Sequence, residues 1–483
     1  MNWINFLNKT AKNFPQKEAI EDLRSGRVLN YSELVAEVNK WVNFLLKNKV
    51  SKGEVVCLIA KNRLEHLTIF FACARLGAIF LPMNWRLGED EKKEILDQVN
   101  PILVLSEEEC NLTPSIQLKE IGIFNYPESH LCIDINSIDP LLMLFTSGST
   151  GVPKGVLLHS EMLNANVSNT SKSWGLQSCD ETIIETPFFH TGGYNVLCLP
   201  LLSLGGKAII SQGFCLDTLY ELFDLGKISV YFGVPTMFQQ LSEDSRFKDA
   251  QFKKLRFLIS GGAYCDVELI KKYQTKGLMF KQGFGLTEVG PNCFLLEEKY
   301  AISKLGSIGV PMPHSKVKII KDGMEVLQGE IGELVLAGPH VCGGYYKKSD
   351  VFHKSFHENY FRTGDLARCD EDGFYYIVGR IKDMYISGGE NVYPAEVEKR
   401  INQFEKITES VVVAVKDEKW GEVGLAFYRG EETNLEEVKE FLTPKLSRYK
   451  QPHFVKKLDE FPLLANGKIN RVALKEMARS YYD

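Results

Sequence analysis

The densest chemistry in the chain lies at 146–155, where Thr146, Ser147, Gly148, Ser149, Thr150, Gly151 and Lys154 follow the apolar run 141–145. Glycines let backbone N–H groups close on an anion, hydroxyls add donors and a lysine supplies a point charge. The segment therefore reads as a polyphosphate cradle. It is not a Walker A loop, because Pro153 stands where G-x-x-x-x-G-K-[ST], counted from Gly148, needs its second glycine. Other enzyme templates fail outright: no G-x-S-x-G elbow, no H-E-x-x-H, no G-x-G-x-x-G opening a helix and no kinase H-R-D loop occurs.

The elements that must hold this loop are legible as alternation. Short β-rich runs at 55–60, 102–106, 207–211 and 229–234 alternate with segments of helical period, such as 64–77. That alternation predicts βαβ units on mostly parallel sheets. A run at 255–260, then Gly261-Gly262-Ala263, a helix opening near Asp266 and a further run at 278–281 place a glycine loop at a strand's carboxyl end, where open sheets bind ligands. From 316 to 376 short strands punctuated by glycine predict a smaller β-rich unit. After 381 the texture changes again, with helices opening at Pro394 and Leu435, strands at 411–415 and 424–428, and a closing helix after Asn470. The expectation is an α/β chain: a large body at 1–381 of parallel-sheet α/β layers including the small β unit, and a compact, mobile α+β domain at 382–483.

Composition narrows the functions. The chain has 483 residues, 44% hydrophobic and 25% charged, which excludes disorder and fibres. Its formal charge of −5 supplies no excess of cations for nucleic acid. Eleven scattered cysteines without a C-x-x-C pair suit a reducing, cytoplasmic setting rather than a zinc or disulfide framework. The start of the chain reads as an amphipathic packing helix. No apolar stretch reaches the roughly 18 uninterrupted residues of a membrane span; peripheral membrane contact and a homodimer stay open.

Five segments in order make the chain resemble the adenylate-forming enzymes, the acyl- and aryl-CoA synthetases with luciferases and peptide-synthetase adenylation domains. They are 144–155, then Gln282-Gly283-Phe284-Gly285-Leu286-Thr287-Glu288, then 360–365 ending Thr363-Gly364-Asp365, then 379–394, and Asn466-Gly467-Lys468. The resemblance is colinear over nearly the whole chain and strongest to the fatty-acyl-CoA branch. It implies that ATP and a carboxylate form an acyl-adenylate, releasing pyrophosphate, and that CoA thiol then displaces AMP. ATP, Mg²⁺ and CoA are the implied co-substrates and ion, with no tightly bound organic cofactor.

By the same resemblance, the 146–154 loop holds the β- and γ-phosphates, Thr287 contacts phosphate and Glu288 supports Mg²⁺. Gly261, Gly262, Ala263, Gln282, Gly283 and Phe284 line adenine. Asp365 takes the ribose hydroxyls and Arg380 sits near ribose and phosphate. His190 lies beside the carboxylate entrance, Lys382 is the hinge, Gly388 and Gly389 edge the CoA path, and Lys468 serves the adenylation step. The leading expectation for the acid is a medium- or long-chain fatty acid, helped by small residues around Gly192-Gly193 and Gly233-Val234 that suggest an open tunnel. An aryl acid is the first alternative. An amino-acid adenylation enzyme is weaker, because no acidic residue occurs beside His190, and a non-catalytic nucleotide or lipid binder is the remaining class.

Overall fold

The computed structural model describes residues 3–146, 153–263, 265–464 and 468–482. The chain divides into two compact units, one of residues 1–305, 309–316 and 336–361, the other of 306–308, 317–335 and 362–483.

In the first unit the predicted alternation folds into parallel strands. Val55–Ile59 lies between Ile79–Met83 and Leu103–Ser106, parallel to both, and Ile79–Met83 continues in parallel to Pro140–Thr146. The last of these turns back antiparallel into Lys154–His159, which also pairs with Gly344–Tyr345. Side chains alternate across a strand. Val56 and Leu58 accordingly join the core under the helix Glu65–Leu76, while Val55 and Cys57 join Ile95, Leu96 and Val99 of the helix Glu89–Val99. A sheet covered on both faces reads as continuous apolar runs, which is why Val55–Ile59 and Leu103–Ser106 stood out. The helix Glu65–Leu76 is buried on all sides and ends at Gly77, whose φ of 62° is the left-handed conformation that favours glycine.

A four-stranded sheet in the same unit carries Glu181–Ile184 and Lys207–Ile210 in parallel with Glu18–Asp22. A three-stranded parallel sheet orders Val230–Gly233, Phe257–Ser260 and Phe280–Gln282. In its register Gly233, Ser260 and Gln282 end side by side.

The second unit holds parts of the β-rich segment, 317–335 and 362–376, together with the α+β module, so its limits do not follow a cut at residue 382. The cause is local bonding. Tyr360–Cys369 pairs antiparallel with Tyr375–Arg380, the Ile381 N–H donates to Gly364 O at 3.0 Å, and Lys475 pairs with Asp383 at 3.2 Å. Lys382 is exposed in a turn of this bonded stretch. Beyond it, Ile407–Asp417 pairs with Gly421–Gly430 over the full length of both strands. Val412, Ala426 and Tyr428 face the helices Pro394–Ile401 and Leu435–Leu442, and Val411, Val413, Leu425 and Phe427 face the closing helix Arg471–Tyr482.

Candidate active site

The segment expected to cradle phosphate joins the antiparallel strands Pro140–Thr146 and Lys154–His159, with Thr146 directly across from Lys154. Ser147, Gly148, Ser149, Thr150 and Gly151 lie outside the described residues. Lys154 places its Nζ 5.0 Å from the centre of the Tyr345 ring, and the Tyr345 hydroxyl donates to Glu288 Oε1 at 3.0 Å. One aromatic side chain thus joins the lysine of the cradle to the carboxylate expected to support a metal. Burial, with the Glu288 charge behind it, holds the Tyr345 hydroxyl protonated far above its usual range, so it stays a donor. No sequence motif marks Tyr345. It arrives through the antiparallel register that sets it against Val156, and only pairing across nearly two hundred residues reveals it.

The glycine loops sit at the carboxyl edge of the three-stranded sheet. The Gly261 N–H donates to Gly233 O and the Gly283 N–H to Ser260 O, continuing the ladder past the strands. Gln282 is buried, and its Nε2 has no hydrogen-bond partner among the described residues. A buried unpaired donor at this edge fits a polar ligand. Phe284 is half-buried and packs edge-on against Phe294, ring centres 5.7 Å apart. Gly262 has φ near 85°; Ala263 is exposed beside it.

His190, expected beside the carboxylate entrance, lies in a turn after Thr186-Pro187-Phe188-Phe189. Its N–H donates to Pro187 O and its carbonyl accepts from the Gly193 N–H, both at 3.1 Å. The small residues here do not open a tunnel. A methyl at Gly193 would lie 2.7 Å from Pro187 O, and one at Gly233 would lie 3.2 Å from the Phe238 ring. Gly192 and Gly261 both abut Phe232, whose ring would sit 3.0 and 3.1 Å from added methyls. These glycines are small because backbone or an aromatic ring occupies the adjoining space.

The second unit assembles its own group. Asp365 and Arg380 face each other across paired strands, Arg380 Nε donating to Asp365 Oδ1 at 2.5 Å and Nη2 to Oδ2 at 3.2 Å. Asp365 is buried and Arg362 pairs with nearby Glu333, whose Oε1 accepts from the Gly364 N–H, which stiffens the Thr363-Gly364-Asp365 turn. Lys468 is close enough to feel both Asp365 and Arg380. Burial and the Arg380 guanidinium bring its ammonium down to about 8, against the pull of Asp365. Asn466 and Gly467 are outside the described residues. Gly388, with φ near 59°, lies under the half-exposed Trp420, whose ring would be 2.8 Å from an added methyl, and Gly389 has open space. Trp420 is a second residue that sequence reasoning passed over.

Two family models match the chain: an AMP-binding enzyme over residues 7–346 and an AMP-binding enzyme C-terminal domain over 396–468. The chain is 32% identical to a feruloyl-CoA synthase of an Amycolatopsis species, over 95% of this chain and 96% of that protein. It is 30% identical to an indoleacetate–CoA ligase of Aromatoleum aromaticum, over 97% and 95%. Among solved structures it is similar to o-succinylbenzoate CoA synthetase from Bacillus subtilis in complex with an acyl-adenylate intermediate, with TM-score 0.89, 26% identity and 98% of each chain covered. The chain belongs to the AMP-binding enzyme family: it is an adenylate-forming enzyme of the acid–thiol ligase class. Among the described residues, no helix is long and apolar enough to cross a membrane.

Proposed function

We propose that the enzyme activates an aryl or arylalkyl carboxylic acid with ATP, through an acyl-adenylate, and transfers it to the thiol of CoA. The observation that carries the choice of acid is that these relatives, matched over nearly their full lengths, act by name on feruloyl, indoleacetate and o-succinylbenzoate groups. The fatty-acid expectation loses its structural support with the tunnel. The Phe232 ring, half-buried between Gly192 and Gly261 at a sheet edge, offers an aromatic surface instead.

In this reading the first step brings an anionic carboxylate to an anionic α-phosphate, so groups placed where charge develops dominate. Thr146, Lys154 and the hydroxyls between them bind the β- and γ-phosphates, and Thr287 contacts phosphate. Glu288, steadied by Tyr345, would hold Mg²⁺, a hard cation suited to carboxylate oxygen that supplies charge neutralisation. Gly261 to Ala263, Gln282, Gly283 and Phe284 receive adenine; Asp365 accepts from the ribose hydroxyls with Arg380 beside it. Lys468 stabilises the charge where carboxylate meets phosphate, and His190 orients the acid. Thiol attack then reuses the same adenylate with the C-terminal module turned about Lys382, so that Gly388 and Gly389 line the thiol's path. A cytoplasmic location belongs to the same reading, consistent with eleven unpaired cysteines.

Pyrophosphate release measured over benzoates, cinnamates, arylacetates and C8–C18 fatty acids tests it. Aryl acids should show the higher kcat/KM; a preference for the fatty acids would overturn the assignment.

A further inference from the structure

The turn that carries His190 is held at both ends by buried carboxamides that belong to neither the turn nor the motifs. At its start, Asn62 donates from Nδ2 to Thr186 O and accepts the Phe188 N–H at Oδ1, both at 3.0 Å. These two bonds straddle Pro187, which has no N–H of its own, so Asn62 stands where a neighbouring strand would. The His66 ring stacks on Phe188 with centres 5.1 Å apart, and the Tyr194 hydroxyl returns to His66 O at 3.0 Å.

At the far end the chain winds into a single wide turn, Gly192–Val196, of π-helical pitch. Such turns leave carbonyls without their usual helical donors and recur at functional sites. Asn292 Nδ2 lies 3.1 Å from Asn195 O and 3.3 Å from Val196 O, and 2.5 Å from Thr170 Oγ1; Asn166 Nδ2 donates to Asn195 O at 2.7 Å. Asn62, Asn166 and Asn292 are all at least nine-tenths buried. Asn292 follows Glu288 by four residues, so the far clamp ties the acid-side turn to the segment that carries Thr287 and Glu288.

We propose that Asn62 and Asn292 are positioning residues that clamp the 186–196 turn at its two ends and set His190 at the acid entrance in register with the metal-side segment. The proposal rests on the acid-activating reading above. A clamp of this kind acts first on the acid, because its bonds go to the backbone on either side of His190. Displacing a substrate-positioning group by about an ångström can cost on the order of a hundredfold in rate.

The test compares Asn62→Ala and Asn292→Ala with Asn39→Ala, an equally buried truncation whose partners, Arg75, Glu128 and His130, lie outside the turn. Two measurements are made on each full-length variant. Hydrogen–deuterium exchange of the peptide spanning 186–196 should quicken in the first two and stay at the wild-type rate in Asn39→Ala. In pyrophosphate release, the KM for the best acid of the panel should rise about tenfold or more in the first two, with the KM for ATP within about twofold. Loss of melting temperature common to all three variants, with exchange in 186–196 and acid KM unchanged, would overturn the clamp. Faster exchange with unchanged acid KM would overturn its positioning role. A wild type silent toward every acid would instead sink the functional reading, and the exchange comparison would still decide the clamp.

Discussion

At the scale of single residues, Lys468 carries the sharpest consequence, because its ammonium is held near a pKa of about 8 by burial and by Arg380. A lysine is charged below its pKa. Adenylation that needs the charge should therefore be level below pH 8 and fall as pH rises through it, and Lys468→Arg, which cannot titrate there, should lose that limb. Lys468→Ala should lower pyrophosphate release by roughly a hundred- to a thousandfold, the typical loss of one preorganised donor, while thioester formation from supplied acyl-adenylate and CoA stays near wild type. The same alkaline limb in Lys468→Arg would detach the lysine from it. Tyr345 gives a second test. Tyr345→Phe keeps the ring over Lys154 and removes the hydroxyl that donates to Glu288, so the Mg²⁺ concentration for half-maximal rate should rise about tenfold or more, from roughly 1.5–3 kcal/mol for one bond to a charged group. An unchanged Mg²⁺ titration would leave Tyr345 a packing residue.

At the scale of elements, the turn at 187–193 and the turn at 381–383 make opposite predictions. Gly193 faces Pro187 O at a distance no methyl tolerates, so Gly193→Ala must shift backbone and should cost about 1–3 kcal/mol as well as acid affinity. Measured unfolding together with acid KM checks both, and a variant with wild-type values on each would show the turn to be slack. Lys382, by contrast, is exposed in a turn, and Pro there fixes φ near −65° and restricts Ile381 before it. Lys382→Pro should form acyl-adenylate and consume it slowly with CoA. Equal slowing of both half-reactions would point to a folding defect and away from a hinge.

At the scale of the whole molecule, stability against pH is biased by Glu185, buried beyond the end of the strand Glu181–Ile184. It accepts from the Tyr231 hydroxyl at 2.7 Å and from the Cys215 N–H at 3.0 Å, yet burial outweighs both bonds and raises its pKa from 4.5 to about 7. The folded state thus holds this proton more tightly than the unfolded one. The contribution to stability is full below the unfolded value and is lost as pH rises through about 7. Glu185→Gln keeps the shape without the charge, so its melting temperature relative to wild type should climb between pH 5 and 8, reflecting a penalty of roughly 3 kcal/mol. A pH-independent difference between the two proteins would show that the carboxyl is not the cause.

Much of this was legible before any coordinates. Period-2 and continuous apolar runs disclosed the strands named in the first unit to within two residues and read the long pair Ile407–Asp417 and Gly421–Gly430 short at both ends, since burial on one or both faces writes itself into local sequence. The ordered motifs disclosed the family, because a polyphosphate site needs glycine, hydroxyl and lysine close together in the chain. The small residues misled about the tunnel, for a glycine reports a lack of room as readily as a surplus, and what adjoins it comes from elsewhere in the chain. The same limit hid Tyr345, brought to Glu288 and Lys154 by strand register, and Asn62 and Asn292, whose bonds to the His190 turn span about a hundred residues. Sequence alone determined which chemistry this chain can perform, because that depends on residue types at short spacing. Only the tertiary structure decided which side chains hold those residues in place and which bury next to one another, because contacts across long separations are set by packing and register.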